Sequence, residues 1–259
     1  MLSDAYANAA HIEGGDLYPE RWIAAAAAFR AEATGEYDLP YGGHPRQVFD
    51  LFHPARLSRG IVVFLHGGYW MKTDKSVWSH LAGGAVARGW TVAVPSYRLC
   101  PEVRIAEITG DIRAAMAVIA ARVPGPIRIA GHSAGGHLTA RMLDPRHRPR
   151  WTERIAAAVP ISPLGDLDPL RQTDLNETLH LDAEEANAES PIHQTPPDVP
   201  VTVWVGADER PAFVEQAARL GAAWDCPVVR DPGRHHFDAI EGLSDPDSPL
   251  LEALLGPGA

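Results

Sequence analysis

Cysteine is scarce: Cys100 and Cys226 are the only two in 259 residues, too few for a disulfide framework or a cysteine-based metal cluster. No stretch reaches the roughly 18 consecutive apolar residues of a membrane span. The start, Met1-Leu2-Ser3-Asp4-Ala5-Tyr6, lacks the basic and apolar regions of a secretory leader. The alanine run Ala24 to Ala28 is too short and too late to be one. The expected location is therefore cytoplasmic. Basic residues are outnumbered, 23 Lys and Arg against 33 Asp and Glu, a formal net charge of −10. Nucleic acid and anionic membrane both reward clustered Lys and Arg, so neither is expected as a partner. Metal chemistry is not indicated either. His132 and His137 are five apart, which does not put both on one helix face, and no other cluster spells a zinc site. Nothing reports the oligomeric state, a homodimer included.

What is present is an ordinary globular composition, 46% hydrophobic and 22% charged, long enough to bury one large core. Residues 1–45 read as an N-terminal extension carrying one helix, with Pro19 at its start and Trp22, Ile23, Ala26 and Phe29 at helical spacing. Strands are predicted at 47–52, 61–65, 90–94, 127–130, 155–161, 201–205 and 227–230, and helices at 77–88, 105–123 and 212–224. Strands alternating with helices imply right-handed crossovers and a mostly parallel sheet covered on both faces. With no internal repeat, the prediction is a single α/β domain over 1–259. The stretch 163–200 stands apart. It is acidic, lies between two core strands, and is either a partial lid over a site or a solvated excursion.

The most informative stretch is Gly131-His132-Ser133-Ala134-Gly135-Gly136. It joins an apolar strand to a helix-like segment, so Gly-x-Ser-x-Gly falls at a strand-to-helix turn. That is the strained elbow that lifts a serine hydroxyl above the sheet edge in α/β-hydrolases. Gly131 and Gly135 fit because a Cβ at either place would collide across the turn. A serine hydroxyl needs a base to take its proton and a carboxylate to orient that base, and at this elbow they follow in the order acid, then histidine. Asp208 ends the strand Val203-Trp204-Val205-Gly206-Ala207 and is the favoured acid, with adjacent Glu209 as its rival. His236 is favoured over His235 as the base. His66-Gly67-Gly68-Tyr69-Trp70 follows an apolar strand and matches a loop that offers backbone N–H groups to an oxyanion. Gly67, Gly68 and Ala134 are the expected donors, His66 a scaffold for the loop, and Tyr69 and Trp70 expected walls of the substrate pocket.

With these motifs in place, the chain resembles the kynurenine formamidase (arylformamidase) branch of the α/β-hydrolases over nearly its whole length. The more particular likenesses are the Tyr-Trp ending of the glycine loop, Gly-His-Ser-Ala-Gly-Gly-His-Leu, and His236-Phe237-Asp238. Broader esterases commonly carry a third glycine where Tyr69 stands. The resemblance implies hydrolysis of N-formyl-L-kynurenine to L-kynurenine and formate through a formyl-serine, with no cofactor. The alternative is a carboxylesterase acting on small acyl esters.

Overall fold

The structure, a computed structural model, describes residues 2–147 and 149–256. Its centre is an eight-stranded sheet: β1 (Gly35–Pro40), β2 (Val48–Phe52), β3 (Ile61–Leu65), β4 (Thr91–Pro95), β5 (Ile127–His132), β6 (Ile155–Ile161), β7 (Val203–Gly206) and β8 (Val228–Asp231). The spatial order is β1-β2-β4-β3-β5-β6-β7-β8. Pairings β1–β2 and β2–β4 are antiparallel, and every other pairing is parallel.

The apolar strands split their side chains between two core layers, as a period of two requires. Ile61, Val63 and Leu65 of β3 enter one layer, while Val62 and Phe64 enter the other. Helices cover both faces: α1 (Tyr18–Glu32), α2 (Gly83–Ala87), α3 (Ile105–Arg122), α4 (Ala134–Arg141), α5 (Ala183–Glu189), α6 (Pro211–Trp224) and α7 (Pro249–Leu255). Ile105, Ile108, Ile112, Met116 and Ile119 of α3 bury against the first layer. Leu250, Leu251, Leu254 and Leu255 of α7 bury against the second.

Three features differ from the sequence-based expectation. The predicted helix at 77–88 is a 3-10 segment, Lys75–Ala82, followed by the short α2. Strand β1 had no signature, because it is an edge strand with little buried surface and ends on a proline. The stretch 163–200 is packed into the core rather than forming a solvated excursion. Leu164, Leu167, Leu170, Leu179, Leu181 and Ala186 are buried in the first layer. Its acidic side chains are largely paired: Glu189 lies 3.0 Å from Arg141 and accepts from Thr109 at 2.7 Å, and Asp182 pairs with Arg104 at 2.8 Å.

Candidate active site

Ser133 sits between β5 and α4 with φ 58° and ψ −117°, a conformation that costs a non-glycine residue about 1–3 kcal/mol and persists only where its surroundings impose it. Here they do. Its N–H donates to the Ile161 carbonyl at 2.8 Å, and the elbow is clamped by backbone contact. A Cβ on Gly135 would come within 1.9 Å of the Leu65 carbonyl oxygen, and one on Gly131 within 2.2 Å of the Gly135 carbonyl oxygen. The sequence argument for both glycines holds atom by atom.

The histidine at the site is His236, buried, on the loop after β8. Its partner is Glu209, not Asp208. Glu209 Oε2 accepts from His236 Nδ1 at 2.6 Å, while Oε1 accepts from the Gly206 N–H at 2.8 Å and from the Ser162 hydroxyl at 2.5 Å. Asp208 is exposed, and its N–H donates to the Arg234 carbonyl at 2.9 Å. The correction has a simple cause. The chain turns at Ala207-Asp208 directly after β7 and folds back, so the residue after the turn, with its longer side chain, returns to the strand tip. His235 faces elsewhere: its Nε2 lies 3.0 Å from the Tyr18 hydroxyl and its Nδ1 3.1 Å from Asp238.

The glycine loop packs directly on the elbow. A Cβ on Gly67 would lie 3.2 Å from Ser133 Cβ and 2.8 Å from the His132 carbonyl oxygen. Gly68 has φ +111°, and its carbonyl accepts from the N–H groups of Met71 and Lys72, both at 3.0 Å. Ala134 is the first residue of α4, where a helix leaves its N–H unpaired. His66 holds the loop. Its Nδ1–H donates to the Gly67 carbonyl at 2.8 Å, its ring stacks on Tyr97 at 4.3 Å, and the Tyr97 hydroxyl donates to its carbonyl at 2.8 Å. Burial pushes the His66 imidazole down to about 4, helped by nearby Arg46.

His132, beside Ser133, is held neutral. Burial, then the neighbouring His236, push its pKa well below the usual value. Its Nε2–H donates to the His236 carbonyl at 2.8 Å, fixing the backbone of that histidine.

Above Ser133 lies a cavity of about 510 Å³. Tyr69 lines it as expected, and its hydroxyl donates to the Tyr6 carbonyl at 2.6 Å. Trp70 does not. It is fully buried in the core, edge-on to His137 at 5.0 Å, because successive left-handed residues, Tyr69 at φ 51° and Trp70 at φ 57°, send the two rings into different surroundings. The aromatic walls are instead Trp22, Trp78 and Phe237. Trp22 lies 4.6 Å from Trp78 and 5.2 Å from Phe237, centroid to centroid. Helical spacing placed Trp22 on an apolar stripe, but no sequence signal distinguished core from cavity.

The N-terminal segment supplies the remaining wall through Tyr6, Asn8 and Gly15. It is strapped down by Tyr6, whose ring packs on Phe213 at 5.7 Å and whose hydroxyl accepts from Gln216 at 3.1 Å. Asp4 adds an ion pair to Arg210 at 2.7 Å. Of the stretch 163–200, Leu175 alone reaches the cavity. Among the described residues, no helix is long and apolar enough to cross a membrane.

A family model described as alpha/beta hydrolase fold matches residues 62–197. The kynurenine formamidase of Salmo salar is 28% identical over 240 residues, covering 84% of this chain and 80% of its own length. That of Drosophila melanogaster is 27% identical, covering 82% and 78%. Among solved structures, a protein of Silicibacter sp. TM1040, provisionally termed a thioesterase, is 53% identical with a TM-score of 0.96, covering 98% of both chains.

Proposed function

This chain belongs to the alpha/beta-hydrolase fold family, and from that premise we propose that it is an arylformamidase, cleaving N-formyl-L-kynurenine to L-kynurenine and formate. The observation that carries the reading is the sharing of one cavity by Ser133 and by His236, itself bonded to a buried carboxylate, with aromatic side chains forming the other walls. Such walls suit an aryl ring, which packs on aromatic neighbours offset or edge-on. The formamidase relatives from fish and fly support the same substrate.

Ser133 attacks the formyl carbon while His236 Nε2 takes the hydroxyl proton. Nδ1–H stays on Glu209, which orients the ring and stabilises the imidazolium. The N–H groups of Gly67, Gly68 and Ala134 receive the negative charge that develops on the formyl oxygen. The imidazolium then protonates the departing arylamine nitrogen, and the C–N bond breaks. Water, deprotonated by His236, attacks the formyl-serine and releases formate.

The provisional naming of the Silicibacter relative at 53% identity favours a second reading, hydrolysis of a thioester at the same serine. One experiment separates them: kcat/KM for N-formyl-L-kynurenine, p-nitrophenyl acetate and acetyl-CoA, with wild type and Ser133→Ala. The formamide should be the best substrate, and its turnover should vanish in the variant. Ester or thioester turnover without formamide cleavage would reject the formamidase reading.

A further inference from the structure

A carboxylate outside the site ties together the two segments that carry Trp22 and Trp78. Asp50 is fully buried on β2, flanked in the strand by buried Phe49 and Leu51, and does not line the cavity above Ser133. Its Oδ2 accepts from Arg30 Nη1 of α1 at 2.5 Å. Its Oδ1 lies 2.7 Å from the ammonium of Lys75, which opens the 3-10 segment, and accepts from the Asp38 N–H at 2.9 Å. Arg30 Nη1 also donates to the Ser79 hydroxyl at 3.1 Å. Helix α1 and the 3-10 segment are thus bonded to one carboxylate and to each other.

Each cation shares a face with one of the tryptophans of the cavity wall. On α1, Trp22, Ala26 and Arg30 recur every four residues and so lie along one ridge, about 12 Å from first to last. In the 3-10 segment, side chains three apart eclipse one another, which sets Lys75 in line with Trp78. The two indoles meet at 4.6 Å with their planes at 41°, and Trp22 continues to Phe237 at 5.2 Å. A buried ion pair adds little net stability over apolar residues of the same size. What this one fixes is the direction and register of the two segments it joins.

We propose that Asp50 is a positioning residue for aryl specificity. By holding Arg30 and Lys75 it sets the angle and separation of Trp22 and Trp78, and so the wall against which a substrate ring packs. This rests on the hydrolase reading of Ser133 and adds to it a specificity determinant that touches no substrate. A plainer role competes, in which the ion pairs only dock α1 on the sheet. That role lowers stability when the pairs are cut, without favouring one substrate over another.

The test uses Arg30→Met and Lys75→Met, each of which cuts one tie and leaves Asp50 the other cation. Arg30→Lys, which keeps a cation at the carboxylate, is the conservative control. Phenyl acetate is compared with vinyl acetate, whose leaving group is small and carries no ring. Each Met variant should raise KM for phenyl acetate about three- to tenfold, the range an aromatic contact supplies, with kcat within about twofold of wild type. Vinyl acetate kinetics should be unchanged, and Arg30→Lys should keep the wild-type ratio of the two esters. Binding of acetophenone, followed by tryptophan fluorescence, repeats the comparison without turnover and should weaken by the same factor. Unchanged ratios and affinities alongside a lowered Tm overturn the proposal, as does a loss shared equally by both esters. Absence of formamide cleavage with the ester ratios shifted as expected rejects the formamidase reading and leaves the role of Asp50 standing.

Discussion

Glu209 and His236 meet at 2.6 Å through Oε2 and Nδ1, while the carboxylate one residue earlier in the chain faces solvent. The pair is completed from behind by Ser162 and the Gly206 N–H, which occupy the other carboxylate oxygen. Glu209→Gln should lower kcat by about 10³-fold or more, because an amide there holds the wrong histidine tautomer. Asp208→Asn should stay within about twofold of wild type by the same measure. Steady-state kinetics on p-nitrophenyl acetate check both, and the reverse order would restore Asp208 to the role.

Ser162 does not line the cavity above Ser133, yet its hydroxyl fixes the carboxylate. Ser162→Ala should reduce kcat about tenfold with KM nearly constant, and cost about 1 kcal/mol of stability in urea unfolding.

Glycines in this chain are not equivalent. Gly135→Ala would drive a methyl into the Leu65 carbonyl and should destabilise the fold by about 3 kcal/mol or more, abolishing soluble expression or activity. Gly110→Ala, in α3 with nothing within 4 Å of the new Cβ, should stabilise by up to about 1 kcal/mol. Chemical denaturation of the two variants reads the contrast directly.

Acid should weaken the fold well before its carboxylates titrate. Burial lowers His66, His80 and His137 to about 4, against about 6.5 in the unfolded chain. Between these values the unfolded state binds more protons, so stability is complete above about 6.5 and falls as pH drops toward about 4. His137→Gln should remove about one proton from that slope. Unfolding free energies at pH 7, 6, 5 and 4.5 measure it.

Tyr69→Phe deletes the hydroxyl that donates to the Tyr6 carbonyl at 2.6 Å. Freed of that tie, the N-terminal wall should loosen, and KM should rise about three- to tenfold with kcat little changed. A fall confined to kcat would instead tie the hydroxyl to the chemistry.

The elbow was legible because its constraint is local: a strand, two glycines without room for a Cβ, and a helix start lie within ten residues. His236 and the glycine loop were legible for the same reason, each following directly on a strand. The acid was not. Choosing between Asp208 and Glu209 depends on a turn registered by the Arg234 carbonyl and on Ser162, 47 residues away from Glu209. Trp70 and Trp22 exchanged their expected places for a similar reason. Whether an aromatic ring lines a cavity or fills a core is decided by backbone torsions and by neighbours distant in the chain, and their hydropathy is the same either way. The buried leucines of 163–200 were hidden behind the acidic residues between them.

The N-terminal wall of the cavity is built from residues 6–22, while the elbow, the glycine loop and His236 each follow a strand of the sheet. The cavity walls thus come both from the N-terminal stretch and from residues beside the glycine loop and His236. The N-terminal stretch is tied down through Asp4, Tyr6, Tyr18 and Trp22, so its positions outside those ties are free to be rewritten for a new leaving group while the serine, histidine and glutamate stay in register.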